Sequence, residues 1–177
     1  MAEQEIFFFD QIESPIGELT IVVDRKGAMR MLWFDGGDER LPAGRRRMAS
    51  SEVGWRTAFA HRFPDVALAP RRDPFGHSTT LKAYFDGDME ALERIPVVLG
   101  GTPLQNKVWK ALRRIPTGTT LSYGALAKKI GEPKAVRAVG LANGSNPIGV
   151  VVPCHRVIGS DGSLTGYGGG LPRKKWL

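Results

Sequence analysis

Three early segments, residues 5–11, 18–24 and 28–34, concentrate aromatic, branched and long apolar side chains. Pro15-Ile16-Gly17 and Asp24-Arg25-Lys26-Gly27 separate them as turn signals. Three strands with short links predict an antiparallel meander. Residues 36–47 then break every period with glycines, a proline and the triplet Arg45-Arg46-Arg47, and are expected to form an exposed loop. Residues 51–62 predict a helix, with Ser51 as its cap and Trp55, Phe59 and Phe63 on neighbouring turns. Residues 64–75, with three prolines, read as a connection. A short helix over 80–85 stops at Asp86-Gly87-Asp88, and 95–99 is a candidate strand.

Gly100-Gly101-Thr102-Pro103 is the best boundary, dividing the chain into residues 1–99 and 100–177. Beyond it the period is helical. Leu104, Val108, Leu112 and Ile115 fall four, four and three residues apart, predicting a helix over 104–115 that ends at Pro116-Thr117-Gly118. A second helix is expected over 122–130, capped by Ser122. A third is expected over 133–142, with Pro133 at its first position and Asn143-Gly144 at its end. Residues 148–152 read as a buried strand, and the six glycines of 159–170 as a loop or set of turns. The sequence carries no internal repeat. The fold class is therefore α+β: a small antiparallel-sheet domain followed by a mainly helical one.

Charge sharpens this division. Residues 1–100 hold 13 Lys/Arg against 16 Asp/Glu, a net −3, whereas residues 101–177 hold 12 against 2, a net +10. Solubility accounts for a mean charge but not for this asymmetry. A segment so poor in carboxylates is suited to a polyanion. With 42% hydrophobic and 24% charged residues, the chain is neither a disordered tail nor a fibre. No apolar run reaches the roughly 18–20 residues of a membrane helix. The single cysteine excludes an internal disulfide, and with three scattered histidines it offers no zinc spacing. A reducing, cytoplasmic compartment is the simplest expectation.

Two constellations carry candidate chemistry. The second and third predicted helices form a helix–turn–helix candidate, with Ala127, Ile130, Val136, Val139 and Leu141 apolar and Lys128, Lys129, Lys134 and Arg137 charged. Such a pair can lay one helix in a DNA groove. The sharper feature is Val151-Val152-Pro153-Cys154-His155-Arg156-Val157-Ile158. A thiolate is the nucleophilic form of cysteine and is favoured by nearby cations and hydrogen-bond donors. Arg156, and a histidine acting through a water, are suitable helpers. A lone cysteine is more often a small buried hydrophobe. The adjacent His155, the glycine-dense loop and the basic surroundings weigh against that here. Asn146 can tie two backbone segments together, and Tyr123 or Tyr167 can stack on a base or donate a phenolic proton; ordinary turn and packing roles are the competing readings. Two other function classes fit less well. A DNA-binding regulator would use the cysteine as a sensor. A cysteine hydrolase would need a separate histidine–carboxylate pair, and none is evident.

From Gln105 to Trp176 the chain resembles the catalytic domain of the O6-alkylguanine-DNA alkyltransferases, the methylated-DNA–protein-cysteine methyltransferases. The resemblance rests on Val108-Trp109 with Ile115-Pro116, Ser122-Tyr123-Gly124, Arg137-Ala138-Val139-Gly140, Asn146-Pro147, Pro153-Cys154-His155-Arg156-Val157 and Gly166-Tyr167-Gly168-Gly169, in family order. Residues 14–19 and 81–87 resemble, more weakly, the family's small N-terminal domain, which implies a ribonuclease-H-like sheet. The resemblance implies direct-reversal repair of duplex DNA carrying alkylated bases. The helix–turn–helix would enter the minor groove and the damaged guanine would be flipped into a pocket. Cys154 would take the alkyl group from O6-alkylguanine irreversibly, once per molecule, with O4-alkylthymine a possible second substrate. His155 would accept the thiol proton through water and Asn146 would brace the loop. Tyr123 would contact the guanine or the rotated phosphate, and Arg137 would fill the hole in the base stack. Ala138 and Gly140 belong to the same DNA-binding motif, Arg156 would join the DNA or substrate contacts, and Val157, Tyr167 and Gly168 would line the pocket. No cofactor or metal is implied, and the expected state is a monomer able to assemble cooperatively on DNA.

Departures from the family pattern add expectations. Cys154 excludes the non-catalytic relatives that carry tryptophan there. The family continues past its Lys-x-Trp-Leu helix to a glutamate that orients the histidine, and the sequence stops at Leu177, before such a position. Either the chain is truncated or another group substitutes. Without that glutamate, His155 is expected to be less fixed and transfer slower, with DNA binding retained; adding the missing helix should then speed transfer. Gly149 stands where some relatives carry proline, which implies a pocket rim more open to bulky alkyl groups.

Overall fold

Strand β1 (Ile6–Ile12) sets the first layer. It pairs antiparallel with β2 (Leu19–Val23), and β2 pairs antiparallel with β3 (Met29–Phe34), the meander read from the alternation. The computed structural model describes residues 4–35 and 52–177; the expected loop at 36–47 and the Ser51 cap lie outside them. Every residue of β2 is buried, as befits a central strand covered on both faces. On one face Phe7, Val22 and Met31 meet Trp55 and Phe59 of helix α1 (Glu52–Arg62). The spacing of four puts those two rings on one side of α1. Phe7 lies 5.2 Å from Phe63 edge-on, and Phe9 lies 4.9 Å from Trp55. Each large side chain buried here contributes about 1.5–3 kcal/mol.

The sheet is mixed rather than purely antiparallel. Residues 64–75 contain a fourth strand, β4 (Ala67–Pro70), parallel to β1, giving the order β3-β2-β1-β4. Pro70 is tolerated because β4 is an edge strand, where a missing donor costs little. Helix α2 runs from His77 to Phe85, three residues longer at its start than expected. Residues 95–99 do not form a strand. Val97 makes only an isolated parallel bridge to Met29, flanked by Met29 N–H donating to Pro96 O at 2.8 Å, and Pro96 has no N–H to extend the ladder.

The chain divides into two compact units, Met1–Val98 and Leu99–Leu177. The second begins with a reciprocal cap. Thr102 Oγ1 accepts from Gln105 N, and Thr102 N donates to Gln105 Oε1 at 2.9 Å, at the start of α3 (Pro103–Leu112). Gly101 must be glycine because a Cβ there would lie 2.6 Å from the Trp109 ring. Trp109 is buried and its Nε1 donates to Ala142 O at 2.8 Å, tying α3 to the helix that carries Ala142 (Val136–Gly144).

Helix α4 (Tyr123–Lys129) is capped by Ser122, whose Oγ accepts from Ala125 N. It ends at Gly131, with positive φ, where Gly131 N–H donates to Lys128 O and Glu132 N–H to Ala127 O. This paired closure is the Schellman arrangement. Ala135 N–H then bonds Glu132 O, so Pro133 sits in a turn and α5 starts at Val136, three residues later than expected, and runs to Gly144. Helices α4 and α5 form the helix–turn–helix, with Leu126, Ala127, Val139 and Ala142 buried. Two short strands missed by the sequence reading, β5 (Leu121–Ser122) and β6 (Val157–Ile158), pair in parallel and join the start of α4 to the chain leaving Cys154. Helix α6 (Leu171–Trp176) closes the described chain.

Candidate alkyl-transfer site

Residues 148–152 are buried but are not the expected strand. They form a set of tight turns: Val151 N–H donates to Gly149 O at 2.8 Å and Val152 N–H to Ile148 O at 2.9 Å. Val150 adopts φ 68°, a left-handed conformation that costs a β-branched residue about 1–3 kcal/mol. The surroundings hold it there. Ile148, Val150 and Val152 are fully buried, and the half-buried Asn146 staples the loop. Asn146 Oδ1 accepts from Ile148 N at 3.0 Å, while its Nδ2 donates to Val152 O at 2.7 Å. The apolar run resembled a strand because short buried runs have no distinguishing period.

Cys154 therefore opens a 3-10 turn, Cys154–Arg156, rather than ending a strand. Its N–H donates to Val152 O, and Asn143 Nδ2 reaches its carbonyl at 3.4 Å. Only 6% of Cys154 is exposed. Burial pushes the thiol above its ordinary value, while the Asn146 side chain and the Lys174 cation act in the opposite direction. His155 is equally buried, and burial, Arg156 and Lys174 push its imidazole down to about 3. It is neutral at physiological pH. Its Nδ1 is buried with no hydrogen-bond partner among the described residues.

Arg156 turns elsewhere. Its guanidinium donates to Ile115 O at 2.6 Å and to Thr117 Oγ1 at 3.0 Å, fastening the cysteine turn to the segment after α3. The cation acting on the thiol is instead Lys174, which the sequence reading did not single out. In a basic Arg-Lys-Lys run it looks like a solvated helix end, yet it is only 3% exposed. Its Nζ donates to Thr165 O at 2.7 Å and to Gly166 O at 3.3 Å. The same nitrogen stands 5.9 Å from the centre of the Tyr123 ring. Tyr123 Oη contacts Thr165 in turn, donating to its carbonyl at 3.4 Å and accepting from its Oγ1 at 3.3 Å. The structure thus joins Tyr123 to the glycine-rich loop. Tyr167 is buried at the end of that stretch, Gly168 is exposed, and Val157 is buried in β6.

Arg137, Ala138 and Gly140 lie on α5. Arg137 is exposed, beside exposed Val136 and Leu141, whereas Ala138 and Gly140 are half-buried. A Cβ on Gly140 would lie 3.7 Å from the Tyr123 ring, an ordinary packing distance that places this turn of α5 against the start of α4. The open face of α5, with exposed Lys128, Lys129 and Lys134 preceding it, gives a basic surface with a protruding helix. Among the described residues no group of three or more His, Cys, Asp or Glu is placed to hold a metal ion. No helix among them is long and apolar enough to cross a membrane.

Residues 103–177 match the family model described as the 6-O-methylguanine DNA methyltransferase DNA binding domain. A methylated-DNA–protein-cysteine methyltransferase of Shigella flexneri is 40% identical over 168 residues, spanning 95% of this chain and 91% of the relative. The chain belongs to the methylated-DNA–protein-cysteine methyltransferase family. A family member from Mycolicibacterium paratuberculosis is 59% identical over 97 residues, 55% of this chain and 58% of that one. In structure, the chain is similar to Mycobacterium tuberculosis O6-methylguanine methyltransferase, with TM-score 0.71, 40% identity, and coverage of 97% of this chain and 90% of the other. It is also similar to Mycobacterium tuberculosis OGT solved in complex with DNA, with TM-score 0.70, 40% identity, and coverage of 94% and 88%. The α+β fold and the helix–turn–helix inferred from the sequence agree with this membership.

Proposed function

We propose that this chain repairs duplex DNA by moving the alkyl group of O6-alkylguanine onto Cys154. The observation that carries the reading is the placement of its single cysteine on a buried turn stapled by Asn146, in the same unit as a basic helix–turn–helix. Arg137 and its exposed neighbours on α5 contact the duplex, and Arg137 takes the space of the extruded guanine. Tyr123, Val157, Tyr167 and Gly168 line the base site, with Ala138 and Gly140 allowing close approach of α5. The Cys154 thiolate attacks the alkyl carbon in line; the S–C bond forms as the C–O6 bond breaks. The electron pair leaves on the guanine, which takes up one proton. The thiol proton departs through His155 and water.

The product is a thioether, which has no leaving group comparable to the guanine. Each molecule therefore acts once, without a cofactor or metal. The protein works as a monomer that can gather cooperatively on DNA, in a cytoplasmic, reducing compartment that keeps Cys154 a thiol. O4-alkylthymine presents the same alkyl–oxygen bond and is the second substrate to try.

The test is a duplex carrying one labelled O6-methylguanine, mixed with the protein and analysed by intact and peptide mass. The expected result is one methyl on Cys154, guanine restored and no further turnover. Tight binding without transfer would refute the reading in favour of a damage sensor.

A further inference from the structure

Asn143 is an amide where the helix pattern calls for a hydrocarbon. Val139, Ala142 and Asn143 fall on one side of α5 and form its buried stripe, and Asn143 is only 3% exposed. In the sequence Asn143-Gly144 reads as a helix end. In the structure α5 runs through Gly144, and Asn143 has negative φ, so it is no left-handed terminator. Its side chain works inward instead. Nδ2 donates to Cys154 O at 3.4 Å and reaches that carbonyl from outside the cysteine turn; the turn's own closure is the Val157 N–H on the same oxygen. The orientation follows from the partner, because a reversed amide would set two oxygens against each other. Oδ1 is then left buried with no hydrogen-bond partner among the described residues. One long bond and one unpaired acceptor make this side chain a burden on stability that leucine, of similar branched outline, would remove. The end of α5 is itself anchored, since Trp109 Nε1 and Ser145 Oγ both donate to Ala142 O, at 2.8 and 3.0 Å. Asn143 thus ties the backbone of the cysteine to a fixed helix, whereas Asn146 closes the preceding loop on itself.

We infer that Asn143 is a positioning residue of alkyl transfer, kept against stability because its amide fixes the Cys154 carbonyl to α5 and so aims the thiol at the docked base. This rests on Cys154 being the alkyl acceptor. Asn143 touches no reacting atom and moves no proton. It acts only through the backbone of the residue that carries the sulfur.

Asn143→Leu tests this, and the single cysteine makes the bond visible: cysteine isotope-labelled at its carbonyl carbon gives one NMR signal. In N143L that signal should move upfield, while the urea midpoint holds or rises. The limiting transfer rate at saturating O6-methylguanine duplex should fall about 10- to 100-fold, because a small misplacement of a nucleophile is enough to do so. Methyl iodide needs no docked orientation, so it should methylate Cys154 within about twofold of the wild-type rate. An unmoved carbonyl signal, or duplex transfer also within about twofold of wild type, overturns the inference. So does a loss of transfer matched by a fall in the urea midpoint or in the methyl iodide rate, which would mean a structural role. Should N143L not fold, the wild type decides. Among its three asparagines, nitrogen-labelled in the side chain, Asn143 should show a slowly exchanging carboxamide that shifts when Cys154 is methylated. Rapid exchange or an unshifted signal overturns the inference. A wild type that takes no methyl from the duplex onto Cys154 would instead sink the proposed transfer itself.

Discussion

Asn146→Ala removes the staple of the cysteine loop, and the cost follows from its two bonds. Ile148 N–H loses its acceptor at 3.0 Å, whereas Val152 O loses one of two donors, at 2.7 Å, and keeps Cys154 N–H at 2.8 Å; both residues are fully buried. Leaving the buried Ile148 N–H unpaired costs about 1–3 kcal/mol and the second lost bond about 0.5–1.5 kcal/mol, so the pair is worth about 1.5–4.5 kcal/mol, less whatever water can recover. The left-handed Val150 has a further about 1–3 kcal/mol to release once the loop can relax. N146A should therefore unfold about 2–4 kcal/mol more easily in urea. Its transfer rate should fall further than its stability suggests, because the thiol also loses the Asn146 hydrogen bond that favours its ionised form. Asn146→Asp separates the two effects. It keeps an acceptor for Ile148 N–H but turns an acceptor toward Val152 O and places negative charge beside the thiol, so its pH–rate midpoint should rise above that of N146A. Urea denaturation and single-turnover transfer across pH read both quantities. Should N146A lose less than about 0.5 kcal/mol and keep its rate within about twofold, the staple argument is wrong.

Three further outcomes follow from the same geometry. With His155 held near 3, the unfolded chain binds the extra proton between the ordinary histidine value and 3, so this group's contribution is full above about pH 6.5 and is lost as pH falls. The wild type should lose stability relative to H155Q over that window by up to about 1.4 kcal/mol per pH unit, and parallel curves would contradict the burial argument. Arg137→Ala, on an exposed position, should leave unfolding unchanged within about 0.5 kcal/mol. It should nevertheless weaken duplex binding and reduce the salt slope by about 1 if Arg137 also neutralises a phosphate, which a fluorescence titration at several salt concentrations measures. Arg156→Ala should do the reverse, costing about 1.5–3 kcal/mol through its bonds to Ile115 O and Thr117 while leaving the salt slope in place.

The parts legible in the sequence are those in which a local signal and the tertiary environment agree. The meander could be read because turn residues fall between apolar segments, and α4 because Ser122 caps it. The edge strand β4 was hidden because four residues ending in proline carry no period, and its partner β1 lies about sixty residues away in sequence. The start of α5 was misplaced because Pro133 suits a first helical turn, but the closure at Gly131 uses the Glu132 N–H and the next turn absorbs the proline. The cysteine loop misled for a different reason. Its valines have strand propensity, and Val150 adopts a conformation that propensity argues against. Such a conflict between local preference and native backbone is expected where a site must hold a reactive group in one place.

The cation beside the thiol shows what spacing cannot reveal. Arg156 stands two residues from Cys154, and proximity along the chain made it the natural electrostatic helper. In the fold its guanidinium reaches the segment after α3, while Lys174, twenty residues on, is the cation whose charge lowers the thiol. That return needs the glycine-rich loop: Thr165 and Gly166 offer their carbonyls to Nζ, and Gly166 and Gly170 have positive φ as the chain turns into α6. The glycines read in the sequence only as a break between elements thus serve to bury the Lys174 cation. A side-chain carbonyl or hydroxyl at Nζ would satisfy its hydrogen bonds equally well, and an acidic partner would satisfy its charge better. The second would also compete with the thiolate. Neutral backbone carbonyls leave the Lys174 charge uncompensated, and a cation near a thiol favours its ionised form.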